Sequence, residues 1–175
     1  MPIKRSLKTV KTSRRSGARD RFAPAPSAAS TGTLPTSKTR ATMFTAFVSK
    51  DTPSAKKIDV IRAGVVARVV NDMVEYLGVP KNVVFGVLHT PESTAHRLIK
   101  DNRNLDSAAS ERVVRVADIA RMAEETFGGR EAATRWLKST NLALGGATPL
   151  SILDTEPGAA EVRRILRSIN YGGAF

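Results

Sequence analysis

The chain has 175 residues and 28 Lys plus Arg against 16 Asp plus Glu, a formal net charge of +12, which is one ordinary domain or a smaller domain with a tail. Apolar residues make up 41% and aromatics 5%, so a core is built from Val, Leu, Ile and Ala, and collagen, coiled-coil and wholly disordered classes are excluded. With no Cys, disulfide frameworks, Cys-bearing zinc sites and thiol catalysis are excluded and a reducing compartment fits; no apolar run approaches the roughly 18 residues of a spanning helix and no apolar signal core opens the chain, so a cytoplasmic protein without membrane contact is expected.

Residues 1–50 hold 11 basic residues and one acid, Asp20, whereas residues 51–175 hold 17 basic and 15 acidic, so the excess charge belongs to the N-terminal segment. That segment carries 21 Ser, Thr, Gly and Pro and no sustained period of 2 or 3.6. It is expected to bury too little apolar surface to offset chain entropy, and 1–53 reads as a disordered basic arm. Lys4-Arg5, Arg14-Arg15 and Arg19-Asp20-Arg21 suit neutralisation of nucleic-acid phosphates,. A solvated tail and an organelle transit leader have the same composition. Within it, 43–48 is an apolar island that docks either on the domain or on a partner. Removal of 1–50 is expected to leave folding intact.

Over 58–77, Ile58, Ile61, Val65, Val69, Val70, Met73, Val74 and Leu77 recur at helical spacing,. Arg68 falls seven residues after Ile61, almost above it, so the apolar face swings at Gly64 and two helices meet there. Gly78 and Pro80 stop the second. Residues 81–88 and 91–100 give a short helix, a turn and another short helix. Val113, Val116, Ala117, Ala120, Ala123 and Phe127 line one stripe of a longer helix, with Arg112, Arg115, Asp118 and Glu125 on its other side and Gly128-Gly129 ending it. Residues 131–138 give a helix with Ala132, Ala133, Trp136 and Leu137 inward, Trp136 as a core residue. Thr148-Pro149 is an N-cap followed by proline. The last helix puts Val162, Ile165, Leu166 and Ile169 on one stripe and Arg163, Arg164 and Arg167 on the rest,. No alternating stretch competes, so the fold is predicted to be all-α.

Catalytic chemistry finds little footing. His89 and His96, the only histidines, stand seven apart without patterned carboxylates, a poor metal site,. The doublets Gly128-Gly129 and Gly145-Gly146 lack the spacing that cradles phosphate, and no nucleophile sits beside a base. No enzyme, metal or cofactor is expected. In 81–100, Val84, Leu88 and Leu98 fall where a helix-turn-helix needs inward apolar residues, and Ala95 is small where the helices cross. Ser93, Thr94, Arg97 and Lys100 would then face a DNA major groove. His89 departs from the glycine usual at the turn. The other reading is two small core helices of a bundle.

From Leu105 the residues become more specific: Leu105-Asp106, Ser110-Glu111-Arg112-Val113-Val114-Arg115, Ala123 to Phe127-Gly128, Trp136-Leu137, Asn141, Leu144-Gly145-Gly146, Thr148-Pro149-Leu150, Leu153, Gly158, Val162, Leu166 and Tyr171-Gly172. In order and spacing these resemble the Xre/MbcA/ParS antitoxins over about 58–175, most strongly over 123–172. The resemblance implies an antitoxin of a type II toxin–antitoxin system that dimerises, binds a cognate RES-domain toxin acting on NAD as hydrolase or ADP-ribosyltransferase, and represses its own operon by binding operator DNA. Together with the basic arm (1–53) read from composition, it gives a helical domain with the helix-turn-helix (54–122) and a toxin-binding domain (123–175) whose C-terminal end, the resemblance implies, occludes the toxin pocket. The end Asn170-Tyr171-Gly172-Gly173-Ala174-Phe175 is too glycine-rich to continue a helix yet carries aromatics, which suits threading a cleft. Arg163, Arg164 and Arg167 are either a solvated face or a toxin-contacting one. The rival function is a stand-alone basic nucleic-acid-binding protein or transcriptional regulator.

Overall fold

A computed structural model describes residues 42–49 and 52–172. Eight α-helices follow in order: α1 Met43–Ser49, α2 Ser54–Ala63, α3 Val69–Leu77, α4 Lys81–Leu88, α5 Glu92–Lys100, α6 Ser107–Phe127, α7 Arg130–Lys138 and α8 Glu156–Asn170. Short 3-10 helices at Leu142–Leu144 and Pro149–Ile152 join the last two. The fold is all-α, as the periodicity predicts. Its one touch of β structure among the described residues is an isolated bridge between Val66 and Asn104.

The long helix α6 is the axle. Asp106 caps it by accepting the Ala109 N–H at 2.7 Å, and Gly128 ends it at φ 77°,. Small residues on several sides, Ala109, Ser110, Ala117, Ala120 and Ala123, let neighbours approach closely. Helices α1, α2, α4, α7 and α8 all pack on it. Buried residues from α1 to α8 form one continuous core, and α6 runs unbroken across residues 122 and 123.

The break at Gly64 falls where the rotating apolar face puts it, but α2 and α3 do not meet directly. Residues 64–66 run beside 103–105 before a turn at Ala67 and Arg68, with Ala67 N–H donating to Arg103 O at 2.9 Å and Leu105 N–H to Val65 O at 2.8 Å. Val65 N–H is taken by the buried Ser110 hydroxyl at 2.9 Å. Helix α2 buries no residue and Ile58 is 45% exposed, so its expected apolar stripe is corrected. Lys57 ties it to Asp118 of α6 at 2.7 Å.

The reading of 1–53 as uniformly disordered is overturned at 43–49, which form α1. Phe44 and Val48 are wholly buried between α3 and α6. The Phe44 ring meets Tyr76 edge-on at 5.1 Å, and Met43 N–H donates to Asp72 Oδ2 at 3.0 Å. The apolar island therefore docks on its own domain, and a truncation through residue 50 removes core side chains. The basic residues of the arm lie outside the described residues.

Tyr76 also links the two halves of the fold. Its hydroxyl donates to Glu124 of α6, and the Arg130 guanidinium at the start of α7 sits 4.2 Å over its ring,. Arg130 further donates to the carbonyls of Glu75 at 3.0 Å and Tyr76 at 3.3 Å. Burial, reinforced by the bond to Glu124, pushes the Tyr76 hydroxyl far above the ordinary tyrosine range,. On α7, Ala133, Thr134 and Leu137 are buried. Ala132 and Trp136 are only half-buried, Trp136 lying 5.2 Å from the Phe127 ring at the margin of the core.

Candidate functional site

Helices α4 and α5 with the intervening turn form the first candidate surface. Val84, Phe85, Val87 and Leu88 are buried on α4 and Ala95 is 1% exposed on α5, as a helix crossing with a small contact residue requires. His89 holds the turn in the left-handed region at φ 50°, ψ 37°, a conformation in which His is less strained than most non-glycine residues. Thr90 N–H closes the cap on Phe85 O at 3.1 Å,. The His89 ring is occupied too, its Nε2 lying 2.9 Å from Asp154 Oδ2. A histidine thus does what glycine would do for the backbone and adds a tie that glycine lacks.

The residues expected to meet DNA are Ser93, Thr94, Arg97 and Lys100. Ser93, Arg97 and Lys100 lie exposed on one stripe of α5, and Thr94 is half-buried beside them,. Ser93, Thr94 and Arg97 line a common shallow depression. No carboxylate comes within ion-pair range of Arg97 or Lys100 among the described residues. His96, the other histidine, bonds Glu92 at 3.3 Å and packs on Phe85.

The second candidate surface is α8 and its end. Thr155 caps the helix by accepting the Gly158 N–H at 3.2 Å. A Cβ at Gly158 would stand 2.0 Å from Ile152 O, so only glycine lets α8 lie this close to the preceding 3-10 turn. Ala159, Val162, Ile165 and Leu166 are buried. Ile169 is 41% exposed, a correction to the expected stripe, because the core ends about one turn earlier. The three arginines differ. Arg163 reaches back to Glu156 at 2.8 Å, Arg164 pairs with Glu161 at 2.6 Å, and exposed Arg167 has no ion pair among the described residues.

Arg163 beside it is the main cause that holds the Glu156 carboxyl below the usual carboxylate range, with Arg115 adding to the effect,. Beyond exposed Asn170, Tyr171 is 88% exposed and Gly172 turns into the left-handed region at φ 65°. Gly173, Ala174 and Phe175 lie outside the described residues.

Between these surfaces runs a polar seam that sequence reasoning placed merely on the far side of α6. Arg112 donates to Leu88 O at 3.3 Å and to Asp154 O at 3.1 Å, joining the turn of the helix pair to the entry of α8. Arg115, with a side chain only 9% exposed, contacts Glu111 at 2.6 Å and Glu156 at 3.2 Å and donates to Leu153 O at 3.1 Å. The signal available beforehand was Arg112, Arg115 and Asp118 at three-residue spacing on a helix otherwise rich in apolar residues. That spacing does not say whether a second layer covers them.

Among the described residues, no cluster of three or more His, Asp and Glu could hold a metal ion, and no helix is long and apolar enough to cross a membrane.

Residues 57–118 match the antitoxin Xre-like helix-turn-helix domain, and residues 122–172 match the antitoxin Xre/MbcA/ParS C-terminal toxin-binding domain. The chain is 33% identical over 125 residues to a protein of Sphingobium sp. (strain YBL2) named Prs ADP-ribosylating antitoxin, a match that covers 66% of this chain and 79% of the relative. It is 34% identical over 82 residues to antitoxin Xre of Pseudomonas putida, covering 47% of this chain and 52% of the relative. It is 26% identical over 116 residues to antitoxin Xre of Yersinia enterocolitica, covering 66% and 78%.

Proposed function

This chain belongs to the Xre/MbcA/ParS antitoxin family, and from that membership we propose that it neutralises a RES-domain toxin by laying its C-terminal end in the toxin's active site. It is an antitoxin of a toxin–antitoxin system and carries a helix-turn-helix. The proposed toxin consumes NAD, by hydrolysis or by ADP-ribose transfer. The name of the Sphingobium relative, which joins that antitoxin to ADP-ribosylation, supports the second.

The observation that carries the occlusion reading is the departure of the chain from its own core at the end of α8. Val162 and Leu166 are buried, whereas Tyr171, five residues after Leu166, is 88% exposed. An aromatic so placed offers a large contact area with few rotamers to freeze, and Gly172 lets the backbone approach a cleft wall. Residues 170–175 are the proposed inhibitory segment. Arg167 and, at the cost of exchanging a glutamate, Arg164 and Arg163 are the proposed flanking contacts. The toxin-binding role falls to 123–175 and the DNA-binding role to 54–122, where Ser93, Thr94, Arg97 and Lys100 read operator DNA in a homodimer that works in the cytoplasm and represses its own operon.

The test measures NAD loss with the purified toxin and either the full chain or a chain ending at Ile169. The truncated form keeps every buried residue of α8. It is expected to fold and still bind toxin, yet to let NAD fall. Equal inhibition by both forms rejects occlusion.

A further inference from the structure

We propose that the closed loop 141–147 is a preformed docking element whose Leu142 inserts into an apolar recess of the cognate toxin, in addition to the contacts of the inhibitory end. The inference rests on the toxin-binding function proposed above and adds an anchoring residue to it.

Leu142 is 96% exposed, against 45% or less for every other large aliphatic side chain among the described residues. A single exposed leucine is ordinary on a protein surface, but this one stands on a loop that holds itself in one shape. Asn141 N–H donates to Ala147 O at 3.0 Å, and the Asn141 carbonyl accepts both Leu144 N–H and Gly146 N–H at 3.0 Å. The Asn141 side chain accepts Ala143 N–H at 2.9 Å. Gly145 and Gly146 take φ of 64° and 86°, closing the loop in a conformation that residues with a Cβ rarely adopt. Leu144 turns inward against the core. The neighbouring leucine is thereby fixed outward, so a partner that covers it has little loop entropy left to freeze.

The chemistry of the surroundings selects the partner. From residue 139 to residue 153, fifteen consecutive positions, there is no Asp, Glu, Lys or Arg, in a chain that is 25% charged with a net charge of +12. A nucleic-acid surface would be cationic here. Depletion of charge around an aliphatic residue is the mark of a protein–protein interface core. The loop also lies inside residues 122–172, the segment that matches a toxin-binding domain, which favours the toxin over a second copy of this chain.

The experiment titrates the purified cognate toxin with the full-length antitoxin, Leu142→Asp and Leu142→Met. Thermal melting and the molar mass of each antitoxin alone are measured alongside. Leu142→Asp is expected to weaken toxin binding tenfold or more with unchanged melting and mass, and Leu142→Met to restore most of the affinity. Tight toxin binding by Leu142→Asp overturns this inference alone, as does a drop in the antitoxin's own oligomeric mass, which would assign Leu142 to a second copy. No toxin binding by the parent chain would overturn the proposed function and this inference together.

Discussion

Two helices carry the cations of this antitoxin's candidate surfaces, and, Arg167 aside, they hold them in opposite states. On α5, Arg97 and Lys100 stand exposed with no carboxylate in range among the described residues. On α8, Arg163 and Arg164 are engaged by Glu156 and Glu161, and Glu156 is shared with the scarcely exposed Arg115. A free guanidinium can take a phosphate at the cost of its own hydration alone, whereas a paired one must first give up an internal partner. The near balance of 17 basic against 15 acidic residues over 51–175 hides this asymmetry. On α5 the two cations are left without a carboxylate among the described residues, while on α8 Arg163 and Arg164 are engaged by glutamates of the same helix and it is Glu156, through Arg115, that ties α8 to α6.

The two regions also differ in what supports them. The α8 side adds ionic and backbone ties through Arg112 and Arg115 to the buried Ala159, Val162, Ile165 and Leu166. On the other side α1 packs against α3 through the Phe44 ring wedged against Tyr76, and α3 in turn packs on α4 of the helix pair. Phe44→Ala is therefore the change with the largest expected effect. Emptying a fully buried aromatic site costs about 3–5 kcal/mol, read as a lower urea midpoint, and removing residues 1–50 should cost at least as much. If Phe44→Ala unfolds with the parent, α1 is not the apolar support assigned to it and this contrast between the two sides is lost.

The helices of 81–100 were legible because short amphipathic runs bounded by Pro80, His89 and Pro91 leave few alternatives, and the break at Gly64 followed from Arg68 landing above Ile61. Helix α1 was not legible. At seven residues it is too short for a period to declare itself, and its helicity depends on tertiary burial of Phe44 and Val48 rather than on propensity. The polar seam was hidden for another reason: a charged stripe on a helix looks the same whether water or a second layer of protein covers it, and the carbonyls of Leu88, Leu153 and Asp154 that decide the matter have no sequence signature. At the C-terminal end the family motif marked Tyr171-Gly172, while the division of labour among Arg163, Arg164 and Arg167 depended on which glutamates lay within reach.

The second prediction sharpens the electrostatic side of the comparison. Arg97→Ala and Lys100→Ala remove exposed side chains with no ion pair among the described residues, so each should leave stability within about 0.5 kcal/mol of the parent. Toxin binding should be untouched. Operator affinity should fall by roughly 1–3 kcal/mol and specificity relax at one position where the side chain reads a base edge; a phosphate contact would instead weaken all sequences alike and reduce the salt slope by about one. Binding curves that overlay the parent's for both variants, across a salt titration, would show that Arg97 and Lys100 lack carboxylate partners among the described residues for no DNA-related reason.

The smallest effect belongs to the paired side and appears only in acid. Because the hydrogen bond from Arg163, aided by the positive charge of Arg115, lowers the Glu156 carboxyl below its ordinary value in the folded chain, the unfolded chain takes up a proton there first as pH falls. The stabilisation is therefore fully present above the ordinary glutamate pKa of about 4.3 and drains away as pH drops through the lower folded value. Glu156 is largely solvated, which keeps the amplitude small,. Glu156→Gln removes the titrating group, so melting temperature plotted between pH 6 and pH 3 should fall less steeply than in the parent, with the two curves converging at the acid end. Arg97→Ala, which touches no carboxylate among the described residues, should follow the parent's slope. If Glu156→Gln also follows it, the contacts of Glu156 with Arg163 on its own helix and Arg115 on α6 contribute nothing measurable to the stability of the fold.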